Sequence, residues 1–245
     1  MLAYLKKIYG GSRSDFFDLA RSALANEQKM FVITANPETF MTAQRNEIFH
    51  DVVMSNEALI VPDGIGVVKA MRQVNLPVKE RIPGVELSRY LLEEAAKLHK
   101  SVCFFGAKQE VLDALTAKCK EKYPTLCITG AFHGYFKDRD AIFDQIVQQE
   151  PDLVLVALGI PEQEMLIYRR LRDFHKGVFI GVGGSFDVLS GMKKRAPKIF
   201  IKLNLEWLYR IVKEPKRLKR FFESNVKFFS AVRKEYREEC RHAKN

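Results

Sequence analysis

Cysteine, histidine and tryptophan are scarce in this chain. Its 245 residues include four cysteines, five histidines and one tryptophan. The cysteines form no CxxC pair, so the sequence predicts neither a disulfide framework nor a structural zinc site, and reduced thiols are expected. The four are Cys103, Cys119, Cys127 and Cys240.

Long apolar runs are also missing. No segment approaches the ~20 uncharged residues that a bilayer-spanning helix needs. The N-terminal sequence MLAYLKKIYG lacks the apolar stretch of a secretion signal. We therefore expect a cytoplasmic protein.

The glycine-rich fingerprints of common nucleotide-binding enzymes are absent. No GxGxxG follows an apolar run, and no Walker A motif occurs. The segment 181–184 is similar in composition, but Asp187 follows it, and a carboxylate there would disfavour a pyrophosphate. These absences argue against a nicotinamide-dependent enzyme and a P-loop ATPase.

Six short apolar runs recur along the chain, and most are followed by Gly, Asn or Asp and then by helix-like sequence. They cover residues 31–34, 58–61, 102–105, 126–129, 153–158 and 178–182. Amphipathic segments at 84–100 and 111–123 lie between them. This alternation predicts an α/β fold, with a Rossmann-like parallel sheet flanked by helices over residues 1–200.

Residues 58–66 read ALIVPDGIG, an apolar run that stops at an acid between proline and glycine. The unbroken run predicts a strand buried on both faces. Asp63 then lies past the carboxyl end of a core strand, at the edge of an open α/β sheet where ligands bind. An acid there can be a general base, a sugar ligand or only a turn-former, and this segment leaves the alternatives open.

Further polar residues follow the other predicted strands. They are Thr34, Asn36, Gln163, Glu164 and Asp187, with Arg81 on a nearby loop. Asn36 and Asp187 could instead cap helices, and the 163–164 pair could lie in the first turn of a helix. Their shared position at one edge of the sheet favours a ligand site.

Positive charge is concentrated at the C-terminus. Residues 1–201 carry 27 Lys and Arg against 24 Asp and Glu, whereas residues 202–245 carry 13 against 6. Segment 216–237 sets aromatic side chains among bases, which is typical of a basic amphipathic helix. Such a helix can dock on the core, lie on an anionic membrane or bind nucleic acid, but no nucleic-acid motif accompanies it. We predict a helical appendage over 201–245 that contacts the membrane.

An ordered set of motifs resembles the WecG/TagA/CpsF glycosyltransferase family, over roughly residues 30–220. The motifs are TxNxE from Thr34, PDGIGVV, RIPGVEL, FFGA, GAFHGYF, PDLVLVALGIPEQE, GVGGSFDVLSG, KRAP and LEWLYRIVKEPKRLKR. Two departures occur: Glu162 stands where lysine is frequent, and Ile199-Phe200 follows KRAP where an aromatic residue is usual.

The resemblance implies an inverting, metal-independent glycosyltransferase without a cofactor. It implies transfer of N-acetylmannosamine from its UDP donor to N-acetylglucosaminyl-diphospho-undecaprenol, in teichoic acid or surface polysaccharide synthesis at the inner face of the cell membrane. The uronic acid of that sugar, or glucose, is an alternative donor sugar. A non-catalytic nucleotide-sugar or nucleic-acid binding protein is the alternative from another class. The oligomeric state stays open, a homo-oligomer included.

The resemblance also implies roles for individual residues. Asp63 would be the general base, in a catalytic pocket completed by Thr34, Asn36, Arg81 and Gln163. Substrate-binding positions would be Tyr135, Gly159, Glu164, Gly183, Gly184 and Asp187. Arg210, Arg217 and Arg220 would serve the leaving group, site closure and membrane contact. The chemistry is consistent, because an inverting displacement needs one base, and arginines with backbone N–H groups can neutralise a diphosphate.

Overall fold

A computed structural model describes residues 1–215 and 217–242, except for the side chains of Arg210, Arg217 and Arg220. Its strands are β1 (Lys29–Ala35), β2 (Ala58–Pro62), β3 (Ser101–Gly106), β4 (Cys127–Phe132), β5 (Leu153–Ala157) and β6 (Gly177–Gly181). All neighbouring strands are parallel, in the order β2-β1-β6-β5-β3-β4. The predicted α/β fold with a parallel, Rossmann-like sheet is confirmed.

Helices cover both faces of this sheet. They are α1 (Leu2–Lys6), α2 (Arg13–Ala25), α3 (Pro37–Ala43), α4 (Glu47–Met54), α5 (Ile65–Gln73), α6 (Gly84–Lys97), α7 (Gln109–Lys122), α8 (Arg139–Gln149), α9 (Glu162–Arg170), α10 (Ser185–Leu189), α11 (Lys198–Lys202), α12 (Glu206–Lys213) and α13 (Arg217–His242). Helices α2, α6, α7 and α10 pack on one face, and α1, α3, α4, α5, α8, α9 and α13 on the other.

The central strands read as unbroken apolar runs because both of their faces are buried. In β1, Phe31 and Ile33 join one core cluster, whereas Met30 and Val32 join the other. Strand β2 differs, because it lies at the edge of the sheet. Its Leu59 remains 39% exposed, so the expectation that both faces of β2 are fully covered is wrong at this residue.

The predicted appendage, residues 201–245, includes the last two residues of α11 and the helices α12 and α13. The chain turns at Asn204, which has a φ of 58°, and α12 begins two residues later. In α13, Phe228 and Val232 are fully buried in the core beside α3, and the Phe228 ring stacks on Phe40. Phe228, one of the aromatic side chains of segment 216–237, therefore contacts the core and not a membrane.

The exposed side of α13 carries both apolar and basic side chains. Phe222 and Val226 are 53% and 60% exposed. Arg233, Lys234 and Arg237 line the same side of the helix further along. Among the described residues, no helix is both long enough and apolar enough to cross a membrane.

Candidate active site

Asp63 lies directly beyond the carboxyl end of β2, next to the end of β1. Its backbone N–H donates to the Ala35 carbonyl at 2.9 Å, and its Oδ1 accepts the Gly84 N–H at 3.0 Å. Gly84 is the first residue of α6, so the N-terminus of a helix orients the carboxyl group. A Cβ added at Gly84 would lie 3.1 Å from Thr34 Oγ1, so glycine permits this close approach.

Thr34 and Asn36 lie beside Asp63 at the end of β1. The Thr34 hydroxyl donates to the Gly181 carbonyl at 2.9 Å, and this bond joins β1 to β6. Asn36 Oδ1 accepts the backbone N–H groups of Glu38 and Thr39 and so caps α3. The capping alternative for Asn36 is therefore realised. Its amide nitrogen is the part of the side chain that can still serve a ligand.

Gln163 is buried in the first turn of α9 and connects two glycine loops. Its Oε1 accepts the N–H groups of Gly159 and Gly183, each at 3.1 Å. Its Nε2 donates to Glu164 Oε1 at 2.7 Å. The Gln163 side chain thereby fixes the backbone of the loops after β5 and β6 from the buried side of the site.

Glu164 lies beneath those loops, fully enclosed by protein. Burial raises the pKa of its carboxyl to about 7 from an ordinary value of 4.5. Its Oε2 has no hydrogen-bond partner among the described residues. Glu164 Oε1 would lie 2.9 Å from a Cβ placed on Gly181, so the carboxyl packs against the end of β6.

The glycine loop after β6 leads into α10. Gly183 has a φ of 47°, in the left-handed region that favours glycine, and Gly184 precedes the helix. Asp187 lies in the first turn of α10, with its carboxylate 3.9 Å from Lys193 Nζ. The loop of Gly183 and Gly184 joins the Gln163 cluster, whereas Asp187 faces the segment that leads to the appendage.

Tyr135 lies at the other half of the same sheet edge, in the loop after β4. It is 70% exposed, and its N–H donates to His133 Nδ1 at 3.1 Å. The ring of His133 stacks on Phe136, with centroids 3.9 Å apart. The Gly134 N–H donates to Ala107 and places the loop at the end of β3. The site residues thus spread along one edge, with Tyr135 at the opposite side from Asp63.

Arg81, on the loop before α6, forms an ion pair with the appendage. Its Nη1 lies 3.1 Å from Oε2 of Glu206, the first residue of α12. Sequence reasoning missed Glu206 and gave no role to its second partner, Arg195. An acid within a basic segment was the available signal, but the partners of Glu206 are distant from it in sequence.

The predicted leaving-group side chains of Arg210, Arg217 and Arg220 lie outside the described residues. Across residues 1–215 and 217–242, no three His, Cys, Asp or Glu side chains are grouped so that they could hold a metal ion. The described cations at the site edge include Arg81, Arg195, Lys193 and Arg139, whose Nη2 donates to the Gly134 carbonyl beside Tyr135.

Comparison with known proteins identifies the family. The model of the glycosyl transferase WecG/TagA/CpsF family matches residues 6–242. A Bacillus subtilis (strain 168) protein is 42% identical over 204 residues, covering 83% of this chain and 79% of its own length. A Bacillus spizizenii (strain W23) protein is 39% identical over 219 residues, covering 89% and 84%. A Staphylococcus aureus (strain MW2) protein is 38% identical over 192 residues, covering 78% and 75%.

All three relatives are named N-acetylglucosaminyldiphosphoundecaprenol N-acetyl-beta-D-mannosaminyltransferase. The match covers the sheet, the loops at its carboxyl edge and most of the appendage. The chain described here belongs to the WecG/TagA/CpsF glycosyl transferase family.

Proposed function

We propose that this protein is an inverting glycosyltransferase that moves N-acetylmannosamine from UDP-N-acetylmannosamine to N-acetylglucosaminyl-diphospho-undecaprenol, for teichoic acid or a related surface polymer. The names of the relatives support the substrates. The observation that carries the chemistry is the position of Asp63, whose carboxyl is oriented by the Gly84 N–H at the ligand-binding edge of the sheet.

The reaction needs one proton acceptor. As the acceptor hydroxyl attacks the anomeric carbon, Asp63 takes its proton, the new glycosidic bond forms, and the bond to the UDP oxygen breaks. Attack from the face opposite to UDP inverts the configuration. Because a single carboxylate suffices for this step, the amide nitrogen of Asn36 can bind and orient the sugar, whereas the bonded side chains of Thr34 and Gln163 hold the surrounding loops.

The departing UDP needs positive charge and N–H donors. Arg81 lies on the loop that leads into α6, and Gly183 and Gly184 form the loop at the end of β6. Guanidinium groups bind phosphate oxygens through paired hydrogen bonds. The Gly183 N–H already donates to Gln163 Oε1, and the Asp187 carboxylate follows this loop, so we assign Arg81 to the diphosphate. We also propose that catalysis is metal-independent.

We further propose that the protein acts at the inner membrane surface, where its lipid-linked acceptor lies. The exposed Phe222 and Val226 and the bases that follow them on α13 support this, since each base near an anionic surface contributes about 1 kcal/mol. Flotation with phosphatidylglycerol vesicles should weaken in the variant Phe222→Ser/Val226→Ser. The matched control is Leu19→Ser, an exposed apolar residue on α2. Equal flotation of all three proteins would contradict the assignment.

The function is tested by incubating the protein with a short-chain lipid acceptor and, separately, UDP-N-acetylmannosamine, its uronic acid or UDP-glucose. We expect UDP release and a disaccharide-lipid product with the first donor, unchanged by EDTA. Preference for another donor would replace the proposed sugar. A rate that EDTA abolishes and Mg²⁺ restores would overturn metal independence. Absence of UDP release with every donor, together with retention of DNA at physiological salt, would favour a binding protein.

A further inference from the structure

Glu206 is an acid of the appendage that is buried against the candidate site. Its Oε2 lies 3.1 Å from Arg81 Nη1, and its Oε1 lies 3.2 Å from Arg195 Nε. The side chains of the two arginines are only 16% and 17% exposed. One carboxylate on α12 therefore holds two guanidinium groups of the catalytic domain.

The ion pairs continue to the helix that orients Asp63. Arg195 Nη2 lies 2.5 Å from Glu86 Oε1, and Glu86 is in the first turn of α6. Burial alone would raise the pKa of Glu86, but Arg195 and Arg13 outweigh it and lower the pKa below its usual range. The carboxylate of Glu86 is thus charged, and the network connects α12 to α6, whose Gly84 N–H binds Asp63.

A surface ion pair would contribute little to the position of α12, because solvent screens it. The Glu206 pairs differ, since all three side chains are largely buried. Removing the carboxylate would leave two buried cations with less counter-charge, which is strongly unfavourable. The next residue, Trp207, stacks on Phe221 with ring centroids 4.7 Å apart, so the same turn of α12 also packs on α13.

We propose that Glu206 is a positioning residue, which fixes the guanidinium of Arg81 at the sheet edge and couples the docking of α12 to the catalytic site. This proposal rests on the proposed function, in which Arg81 meets the donor diphosphate. A guanidinium has several N–H donors, so a contact at Nη1 leaves others to bind phosphate oxygens. Glu206 thereby makes the active arrangement of Arg81 dependent on the appendage.

The single tryptophan of the chain reports on this contact, because Trp207 adjoins Glu206. In Glu206→Gln we expect acrylamide to quench Trp207 more strongly than in the wild type. With UDP-N-acetylmannosamine, we expect kcat to fall about tenfold while the donor KM changes less than about threefold, since an interaction that acts on the transition state lowers kcat. Glu206→Asp should restore part of the lost kcat and part of the protection of Trp207 from acrylamide.

The matched control is Glu239→Gln, which carries the same substitution on the appendage and removes an exposed ion pair to Lys6 on α1. It should leave quenching and turnover unchanged. Wild-type kcat in Glu206→Gln would overturn the positioning role, even if Trp207 became more accessible. An equal loss of kcat in Glu239→Gln would show a general effect of appendage docking and would also overturn it.

The coupling is also tested without turnover. Arg81→Gln should also raise the quenching of Trp207, and adding it to Glu206→Gln should raise the quenching little further, because both substitutions break the Arg81–Glu206 pair and Glu206→Gln alone also weakens the pair to Arg195. Additive effects would overturn the coupling. If the wild type releases no UDP, the proposed function fails, whereas the quenching of these variants still decides whether Glu206 couples Arg81 to α12.

Discussion

A buried acid lies beyond each end of strand β5: Asp152 directly before the strand, and Glu164 in the first turn of α9 after it. The two carboxyl groups differ in the hydrogen bonds that they accept. Asp152, before the strand, accepts hydrogen bonds from the Ser101 N–H and hydroxyl, each at 2.8 Å, and from Lys176 Nζ at 2.9 Å. Glu164, after the strand, accepts one from Gln163, and its other oxygen has no partner among the described residues.

The pKa values of the two carboxyls therefore move in opposite directions. Burial would raise both, but hydrogen bonds from Ser101 and Lys176 outweigh it at Asp152 and lower the pKa of that carboxyl. At Glu164 burial dominates and raises the pKa to about 7. At the amino end of the sheet, Asp152 and Lys176 thus stabilise the fold as a charge pair. At the carboxyl end, Glu164 lies beneath the loops after β5 and β6 with one of its oxygens unbonded among the described residues.

The largest stability effect is expected at the amino end. Asp152→Ala leaves Lys176 with only the more distant Glu27, at 3.6 Å, and removes the acceptor of two hydrogen bonds from Ser101, so the free energy of unfolding should fall by about 4 kcal/mol. Chemical denaturation at pH 7 measures this, and turnover of the remaining folded protein should be unchanged. A loss below about 1 kcal/mol would mean that Asp152 behaves as a surface acid.

A smaller, pH-dependent effect is expected at the carboxyl end. Because the pKa of Glu164 is raised, its contribution is most favourable below pH 4.5 and is lost as the pH rises through about 7. Glu164→Gln resembles the protonated acid, so it should match the wild type near pH 5 and be more stable by up to about 3 kcal/mol near pH 8. A stability difference that does not change with pH would contradict the raised pKa.

The smallest effect is expected for Ser101→Ala. This substitution removes the hydroxyl that donates to Asp152 Oδ2 and accepts the Asp152 N–H, but it keeps the bond from the Ser101 N–H, so the free energy of unfolding should fall by about 1 to 2 kcal/mol. The pKa of Asp152 should rise towards its ordinary value, because one hydrogen bond to the charged form is lost. Acid unfolding should then begin at a higher pH than in the wild type, and an unchanged acid limb would contradict this account of Asp152.

The local sequence was sufficient to predict where most strands of the sheet lie along the chain. Apolar runs before Gly, Asn or Asp indicated each strand, and the PDG turn correctly placed Asp63 past the end of β2. Strand order was not readable, so the exposure of Leu59 at the sheet edge could not be foreseen. The amphipathic pattern of the last helix likewise indicated a helix, but not that Phe228 packs against Phe40.

The sequence was sufficient to predict at which edge of the sheet the candidate site lies, but not most of the contacts between its side chains. Thr34 and Asp63 come together because parallel strands β1 and β2 end side by side. The inward orientation of Gln163 depends on two loops that are separate in sequence. The pairing of Arg81 with Glu206 joins residues 125 positions apart, and no local pattern encodes such a contact.

Single-turnover transfer by Asp63→Asn decides whether Asp63 is the general base. Asparagine keeps an oxygen for the Gly84 N–H, so folding and UDP binding should persist. Loss of the base should slow transfer of N-acetylmannosamine to the lipid acceptor by about 1000-fold. Transfer within about threefold of the wild-type rate, a small effect on the scale of general base catalysis, would contradict the assignment of Asp63 as the base.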